Sequence, residues 1–219
     1  MSSMLKEFDI IIGTTAVTRS DLHLITFPKY IEFVNGLNVL WIINIDSILS
    51  EDIDTTKQCI LKMCEGSTIK VLFNTSKMKA SQAAFYEAAK TVINNIAQFK
   101  SKYGVLWLED DWECSLKYKL IDLLGYMEKN TYIQLVERNN EASFNPGVWS
   151  MDLFNILLVD RINDIKNSYY MTNPERACVS PKELVDSHIS KHLKFACFKD
   201  IGREWQDKTI KTRTFNYSN

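Results

Sequence analysis

Residues 105–113 read VLWLEDDWE, and this stretch decides the expected fold. Its apolar run ends in three consecutive carboxylates, Glu109, Asp110 and Asp111. A continuous apolar run is typical of a parallel strand buried on both faces, and ligands of open α/β sheets bind beyond the carboxyl ends of such strands. Crowded carboxylates repel unless a cation neutralises them, and oxygen ligands suit Mg²⁺ or Mn²⁺. The stretch predicts a cation site whose partner is a phosphate, with a solvated acidic turn as the alternative.

Strand and helix patterns alternate through the first half of the chain, as in a doubly wound sheet. The predicted strands are residues 9–13, 38–46, 68–74 and 105–108, and the predicted helices are 20–35, 54–65 and 80–100. Pro28 predicts a kink or an early end of the first helix. In the second half, the predicted elements are a helix at 116–129, a strand at 131–136, and helices that begin near residues 150 and 180. We therefore expect an α/β fold, a single domain over residues 1–219 with a central, mostly parallel mixed β-sheet flanked by helices.

The composition excludes several classes of protein. The net charge is −1 with both signs spread along the chain, which argues against a nucleic-acid binder that relies on a basic field. Five cysteines without paired metal-finger spacing indicate reduced thiols rather than disulfides or zinc. The N-terminus lacks a secretory pattern, and no apolar stretch approaches the ~20 residues that span a bilayer. We expect a cytoplasmic protein with no transmembrane segment.

A loop rich in hydroxyl groups follows the first predicted strand. Residues 13–19 read GTTAVTR and contain Thr14, Thr15, Thr18 and Arg19. At a strand-to-helix turn, backbone N–H groups and the helix dipole favour an anion. The loop therefore predicts an anion site, and ordinary N-capping of the helix by one of its hydroxyl groups is the alternative.

Two further polar residues end the next two predicted strands, Asp46 and Asn74. Right-handed crossovers would place both on the same rim of the sheet as Thr14 and Asp111. Either side chain could bond to the edge of a base, although each alone is also an ordinary turn residue.

Taken in order, these features resemble the GT-A glycosyltransferases, whose signature is Asp-X-Asp with Glu-Asp-Asp as a variant. The resemblance implies a Rossmann-like GT-A fold with a nucleotide-binding half, residues 1–113, and an acceptor and catalytic half, residues 114–219. It implies that Asp111 binds a divalent ion, usually Mn²⁺ and alternatively Mg²⁺, which bridges the diphosphate of a nucleotide sugar. Glu109 and Asp110 would lie toward the ribose or the sugar.

The loop of residues 13–19 is similar to the Pro-Thr-X-X-Arg opening of many members, which contacts uridine. The resemblance therefore implies a nucleotide site that includes the residues of this loop and the two strand ends: Thr14, Thr15, Thr18, Arg19, Asp46 and Asn74. The implied donor is a UDP-sugar.

Three downstream segments extend the resemblance. Residues 144–154 (FNPGVWSMDLF) look like the glycine segment that lines the donor sugar and the acceptor, with Gly147 as its glycine. Residues 184–193 (LVDSHISKHL) resemble the helix start that carries the catalytic base of inverting members, which implies that role for Asp186. Asp200 stands where a late His-X-Gly segment supplies a metal ligand in some members.

The chemistry of sugar transfer assigns roles to several more residues. Charge develops on the departing diphosphate, and a cation together with Arg19, Arg203 or Lys208 would stabilise it. A carboxylate within ~2.6–3.2 Å of the acceptor hydroxyl can take its proton. Asp186 is the first candidate for this base and Asp152 the second.

Trp112 and Trp149 could supply an aromatic floor for a sugar ring, because an indole combines a broad apolar face with one donor. Packing in the core or at its rim is the alternative for each.

In size and organisation the chain also looks like the small glycosyltransferase domains of chlorella viruses, which act on capsid glycans in the host cytoplasm. The expected partners are a UDP-sugar and a glycan or glycoprotein acceptor, with the chain a monomer or part of a larger multidomain protein. An inactive nucleotide- or sugar-binding relative and a sugar nucleotidyltransferase are the alternatives.

Overall fold

The structure is a computed structural model that describes residues 7–47, 52–76, 84–136, 146–166, 178 and 191–202. Its strands are β1 Glu7–Val17, β2 Val39–Asp46, β3 Ile69–Ser76, β4 Lys100–Glu109, β5 Trp112–Cys114, β6 Thr131–Gln134, β7 Gly147–Trp149, β8 Lys191–Lys194 and β9 Phe198–Asp200. Its helices are α1 Ser20–Phe33, α2 Ile53–Met63, α3 Ala84–Ile96, α4 Leu120–Leu124, α5 Met151–Phe154 and α6 Asp160–Ile162, with a π-helical turn Asn155–Val159 before α6.

Seven of the described strands form one sheet in the order β3-β2-β1-β4-β7-β6-β8. The first four are mutually parallel, and β8 is parallel to β6. β7 is antiparallel to both of its neighbours, so it runs against the other described strands of the sheet. β5 and β9 form a separate antiparallel pair. The expected α/β fold with a mostly parallel central sheet is confirmed, and the sheet draws strands from both predicted halves.

Each face of the sheet has its own apolar core. Phe27 of α1 and Ile60 of α2 pack on one face, which includes Trp41 of β2. Val92 of α3 packs on the opposite face, which includes Trp107 of β4. We call these the α1 face and the α3 face. Because side chains alternate along a strand, each strand residue at the end of the sheet can be assigned to one of the two.

The strand order places a topological switch at the carboxyl ends of β1 and β4. From β1 the chain adds β2 and β3 on one side and then crosses over to add β4 on the other. In open α/β sheets, ligands bind in the crevice at such a switch point. The loop of residues 13–19 and the three carboxylates therefore lie at the carboxyl ends of two neighbouring strands, β1 and β4.

The first helix continues through Pro28 to Phe33 and does not end early. Proline removes the hydrogen bond to the carbonyl four residues earlier. That residue is Leu24, which is 59% exposed, so water can hydrate the carbonyl that the proline leaves without its helical partner.

One expectation for the second half is wrong, and another lies mostly outside the described residues. The helix predicted over residues 116–129 is confined to α4, because Leu116 has a φ of 54° and the Ser115 amide donates to the Cys197 carbonyl at 2.7 Å. The segment 184–193, expected to open a helix, lies outside the described residues up to residue 190, and its last three residues belong to β8, in which Lys191 pairs with Thr131 of β6. In the first case, pairing with a distant part of the chain overrides local preference.

Candidate functional site

The three carboxylates stand where β4 ends and the chain turns into β5. Glu109 is the last residue of β4, Asp110 and Asp111 form the turn, and Trp112 begins β5. We call residues 109–112 the acidic turn. It lies beside the end of β1, since Thr15 is in register with Glu109.

Asp110 points to the α1 face and is 3% exposed. One of its carboxylate oxygens accepts hydrogen bonds from Arg19 Nε at 2.9 Å, His23 Nε2 at 3.0 Å and the Val17 amide at 3.2 Å. A second guanidinium nitrogen of Arg19 donates to the other oxygen. Because a carboxylate only accepts, the bonded nitrogen of His23 carries the proton. Asp110 is thus held by a buried network.

The network also sets the charges at this point. Burial by itself raises the pKa of the Asp110 carboxyl, but Arg19 and His23 outweigh it and hold this pKa below its usual range. Burial lowers the pKa of the Arg19 guanidinium, but Asp110 outweighs it and raises this pKa. Both groups are therefore ionised at neutral pH despite their burial.

Helix α1 also holds the backbone of the acidic turn. Thr26 Oγ1 donates to the Asp110 carbonyl at 2.9 Å. The Tyr30 hydroxyl lies 2.8 Å from the Glu109 carbonyl, bonds the Trp112 carbonyl, and accepts from the Trp112 amide at 3.2 Å. Three of the four residues of the turn therefore have a backbone bond to this helix.

On the α3 face, a row of polar side chains crosses four neighbouring strands. Thr15 is in register with Asn44 of β2 and with Glu109 of β4, and Asn44 is in register with Asn74 of β3. Ile42 and Trp107, two residues earlier on their strands, belong to the α3-face core. We call Asn74, Asn44, Thr15 and Glu109 the polar row. It offers two amides, a hydroxyl and a carboxylate at the switch point.

Asp46 continues the polar row toward the rim. Its Oδ1 accepts from Asn44 Nδ2 at 2.8 Å, and its carbonyl accepts from the Thr18 amide at 3.3 Å. Thr14 points the other way: its hydroxyl accepts from Trp41 Nε1 at 2.9 Å, and its side chain is fully buried. Of the two adjacent threonines, only Thr15 therefore lies on the α3 face, in the polar row.

The structure brings Asp111 and Asp200 to adjacent backbone positions. Trp112 is the register partner of Asp200, and the Ile201 amide donates to the Asp111 carbonyl at 3.0 Å. One Asp111 oxygen lies 3.6 Å from the Arg19 guanidinium. The backbones of two residues far apart in sequence thus meet at this rim, where the Asp200 carboxylate accepts from the Gly202 amide at 3.0 Å. Their roles as metal ligands stay predictions.

The donor set decides what kind of metal site can form here. Within the described ranges, no group of three or more His, Cys, Asp or Glu side chains is arranged to hold a metal ion. Mg²⁺ and Mn²⁺ are often held by one or two carboxylates together with substrate phosphates. Asp111 and Asp200 supply the number of carboxylates that such a site uses, in which the ion and a diphosphate bind together, and their role as its ligands stays a prediction.

Asp152 lies at the opposite end of the sheet. Because β7 runs against β4, it carries the chain away from the acidic turn before α5 begins. Asp152 lines a cleft of about 260 Å³ beside Tyr103, and the six residue steps from Tyr103 to Glu109 span about 20 Å of strand. The structure therefore separates Asp152 from the acidic turn, and we do not retain it as a base.

The predicted sugar and acceptor residues are buried in packing. Trp149 is fully buried and its ring centroid lies 4.2 Å from that of Tyr132. A Cβ added at Gly147 would lie 2.4 Å from the Tyr132 ring. Trp112, beside the acidic turn, is 3% exposed. Packing is thus observed for all three, and contact with a sugar stays a prediction.

Three predicted site residues lie outside the described residues: Asp186, Arg203 and Lys208. Their roles as base and as diphosphate contacts stay predictions.

Sequence reasoning missed His23, Thr26, Tyr30 and Asn44. The first three follow Arg19 at positions i+4, i+7 and i+11, which is the spacing of one helix face. Polar residues along the buried face of an otherwise apolar helix are the signal that could have found them. Asn44 could have been found by its alternation with Asp46 on β2.

No helix among the described residues combines the length and apolar character that crossing a bilayer demands.

No family model matches the chain, and no curated protein does. Among solved structures, it is similar to "PaToxG Glycosyltransferase", with 14% identity, 81% of this chain and 67% of that chain covered, and a TM-score of 0.43. It is also similar to the apo-form glycosyltransferase GlyE of Streptococcus pneumoniae TIGR4, with 10% identity, 92% and 49% covered, and a TM-score of 0.46. The chain spans about half the length of GlyE.

Proposed function

We propose that this protein is a glycosyltransferase that moves a sugar from a UDP-sugar to a hydroxyl of a glycan acceptor, with Mn²⁺ or Mg²⁺. The observation that carries the proposal is the meeting of the polar row with the acidic turn at the switch point. Amides and hydroxyls there suit a nucleoside, and the adjacent carboxylates suit a cation bound to a diphosphate.

Asp111 and Asp200 are the residues that would hold the metal ion. When bound, the ion supplies positive charge to the diphosphate that leaves the sugar. Because these two carboxylates are few for an independent site, we expect the metal to bind weakly alone and more tightly with the nucleotide.

The polar row and its neighbours would bind the nucleoside. Asn74 is partly exposed, and its amide can donate and accept at the edge of a base. Asn44 is 1% exposed and donates to Asp46, so it would act by holding the carboxylate of Asp46. Glu109 can accept from ribose hydroxyls, and Asp46 lies next to the row. Thr15 would complete this surface, and Thr18 and Arg19 would line the loop that faces the phosphates.

On the acceptor side we propose an inverting reaction with Asp186 as the base. Its carboxylate would take the proton of the attacking hydroxyl, while Arg203 and Lys208 would neutralise the departing diphosphate. The glycine segment at Gly147 and the indoles Trp112 and Trp149 would border the sugar. The resemblance to chlorella-virus domains extends this proposal to capsid glycans as acceptors.

Calorimetric titration tests the donor site directly. UDP, GDP and CMP are each titrated into the protein with Mn²⁺ and again with EDTA. We expect UDP to bind with Mn²⁺, and to bind at least tenfold more weakly with EDTA or in Asp111→Ala, because the ion bridges protein and diphosphate. Glu65→Ala is the matched control, because Glu65 is an exposed carboxylate between the end of α2 and the start of β3, at the opposite end of the sheet. Equal binding in EDTA would contradict the metal role, and no nucleotide binding at all would contradict the donor site.

Turnover separates the enzyme from an inactive relative. Release of UDP from UDP-sugars is followed with Mn²⁺, with and without glycan acceptors, in wild type and Asp186→Ala. We expect UDP release in wild type and a loss of at least about a hundredfold in the variant, as for a general base. Tight UDP binding without release from any UDP-sugar would favour the inactive binding relative.

A further inference from the structure

The hydrogen bonds of α1 distinguish the carboxylate of Asp110 from the other two carboxylates of the acidic turn. Arg19, His23, Thr26 and Tyr30 lie on one face of the helix, and all four bond to the acidic turn. Their targets are the side chain and carbonyl of Asp110 and the backbone of Glu109 and Trp112. The remaining two carboxylates, of Glu109 and Asp111, flank this anchored residue.

We propose that this face of α1 positions the acidic turn, with Asp110 as its anchor and with only Glu109 and Asp111 directed to the ligand. Arg19, His23, Thr26 and Tyr30 are positioning residues in this arrangement, which rests on the proposed function. The geometric reason is the alternation of side chains along a strand. Glu109 lies in the polar row on the α3 face, so the next residue, Asp110, points to the α1 face.

The hydrogen bonds of Asp110 support this division, whereas burial alone does not separate it from Asp111, which is 5% exposed and lies 3.6 Å from the Arg19 guanidinium. Asp110 and Arg19 are both at most 4% exposed, and His23 is fully buried and stacked on Phe27 at 4.4 Å between ring centroids. A carboxylate that already accepts from a guanidinium, an imidazole and a backbone amide has little capacity left for a sugar or ribose hydroxyl.

The Tyr30 hydroxyl offers the sharpest test, because its hydrogen bonds to the acidic turn are all with backbone groups and it carries no charge. Tyr30→Phe removes that hydroxyl and leaves the ring in place. Tyr86→Phe is the matched control, since Tyr86 is also buried and donates to a backbone carbonyl, that of Ile162, at 3.0 Å. Thr26→Val and Thr26→Ser form a second pair, in which only serine keeps the hydroxyl that bonds Asp110.

Two readouts are measured on the full chain: the affinity for UDP with Mn²⁺, and hydrogen exchange of backbone amides in peptides covering residues 109–114 without ligand. We expect Tyr30→Phe and Thr26→Val to bind about tenfold more weakly, as when an outer-shell partner is lost. We expect faster exchange in these peptides as well. Tyr86→Phe and Thr26→Ser should match wild type in both.

Wild-type affinity and exchange in Tyr30→Phe would overturn the inference, as would equal losses in Tyr86→Phe. If wild type binds no UDP with Mn²⁺, the proposed function fails. The exchange data then test the positioning role without the binding data. Faster exchange of residues 109–114 in Tyr30→Phe, but not in Tyr86→Phe, supports the positioning role. Equal exchange in the two variants overturns it.

Discussion

The two faces of the sheet differ at the end that carries the acidic turn. On the α1 face, Asp110 is enclosed by Arg19 and His23, and Thr14 accepts from a buried indole. On the α3 face, the polar row meets the crevice at the switch point, where Glu109 is only partly buried. Residues adjacent in sequence thus differ in their surroundings, since those on the α1 face are enclosed by the fold and those on the α3 face border the crevice of the proposed nucleotide site.

This difference makes stability and affinity separable by mutation. A substitution on the α1 face should lower the free energy of unfolding, and one on the α3 face should lower affinity for the nucleotide. Four predictions follow the comparison from the largest expected effect to the smallest.

The buried ion pair should give the largest loss of stability. Asp110→Ala leaves the Arg19 guanidinium buried without its main partner, and breaking a buried pair costs about 3–5 kcal/mol. Urea denaturation followed by circular dichroism measures this loss. Asp111→Ala, whose carboxylate lies 3.6 Å from Arg19, is the comparison and should lose less than half as much. Equal losses of unfolding free energy in the two variants would contradict the assignment of Asp110 to the α1 face.

Gly147 tests how far tight packing extends along the α3 face. In Gly147→Ala the new Cβ would lie 2.4 Å from the Tyr132 ring, and overpacking of this kind costs about 1–3 kcal/mol. Gly125→Ala is the control, because no atom lies within 4 Å of its added Cβ. Thermal unfolding of both variants measures the effect. Unchanged stability in Gly147→Ala would show that Tyr132 packs less tightly against Gly147 than its 2.4 Å approach requires.

Thr14 and Thr15 provide a pair of neighbours on opposite faces. Thr14→Val leaves the Trp41 indole N–H without its acceptor, which costs about 1–3 kcal/mol of stability and leaves UDP affinity unchanged. Thr15→Val should instead weaken UDP binding, by a factor of about three to ten, through loss of one hydrogen bond. Denaturation and calorimetry are measured on both. The reverse pattern would exchange the roles of the two faces.

The smallest effect concerns buried thiols behind the acidic turn. Burial raises the pKa of Cys114 to about 11 and that of Cys197 to about 12. Because the unfolded thiols ionise near ~8.5, their contribution to stability is complete below that pH and is lost progressively above it. Stability should fall between pH 8 and 9.5, and less steeply in Cys197→Ala. An identical slope in that variant would contradict the burial of its thiol in the fold.

Strong local patterns made the first half predictable. The expected strand before the carboxylates became β4, and the rim shared by Asp46, Asn74 and the acidic turn followed from the crossover rule. The inward direction of Asp110 was also within reach of the sequence, since alternation places residues 109 and 110 on opposite faces.

The second half resisted prediction because its strands are short and depend on distant partners. β7 has only three residues, too few to show a period of two, yet its antiparallel direction decides that Asp152 lies away from the acidic turn. β5 likewise exists only through its pairing with β9, more than eighty residues later. Local propensity cannot reveal such pairings.

The contacts of α1 with the acidic turn have a consequence for the order of folding. Arg19 and Asp110 are 91 residues apart, and Tyr30 and Glu109 are 79 apart, so these bonds close long loops. Contacts of such separation are entropically expensive and form slowly. During synthesis, a chain that has not yet reached β4 holds an arginine destined for burial without its counter-ion. We therefore expect the rim to be completed late in folding, after the first four parallel strands have paired.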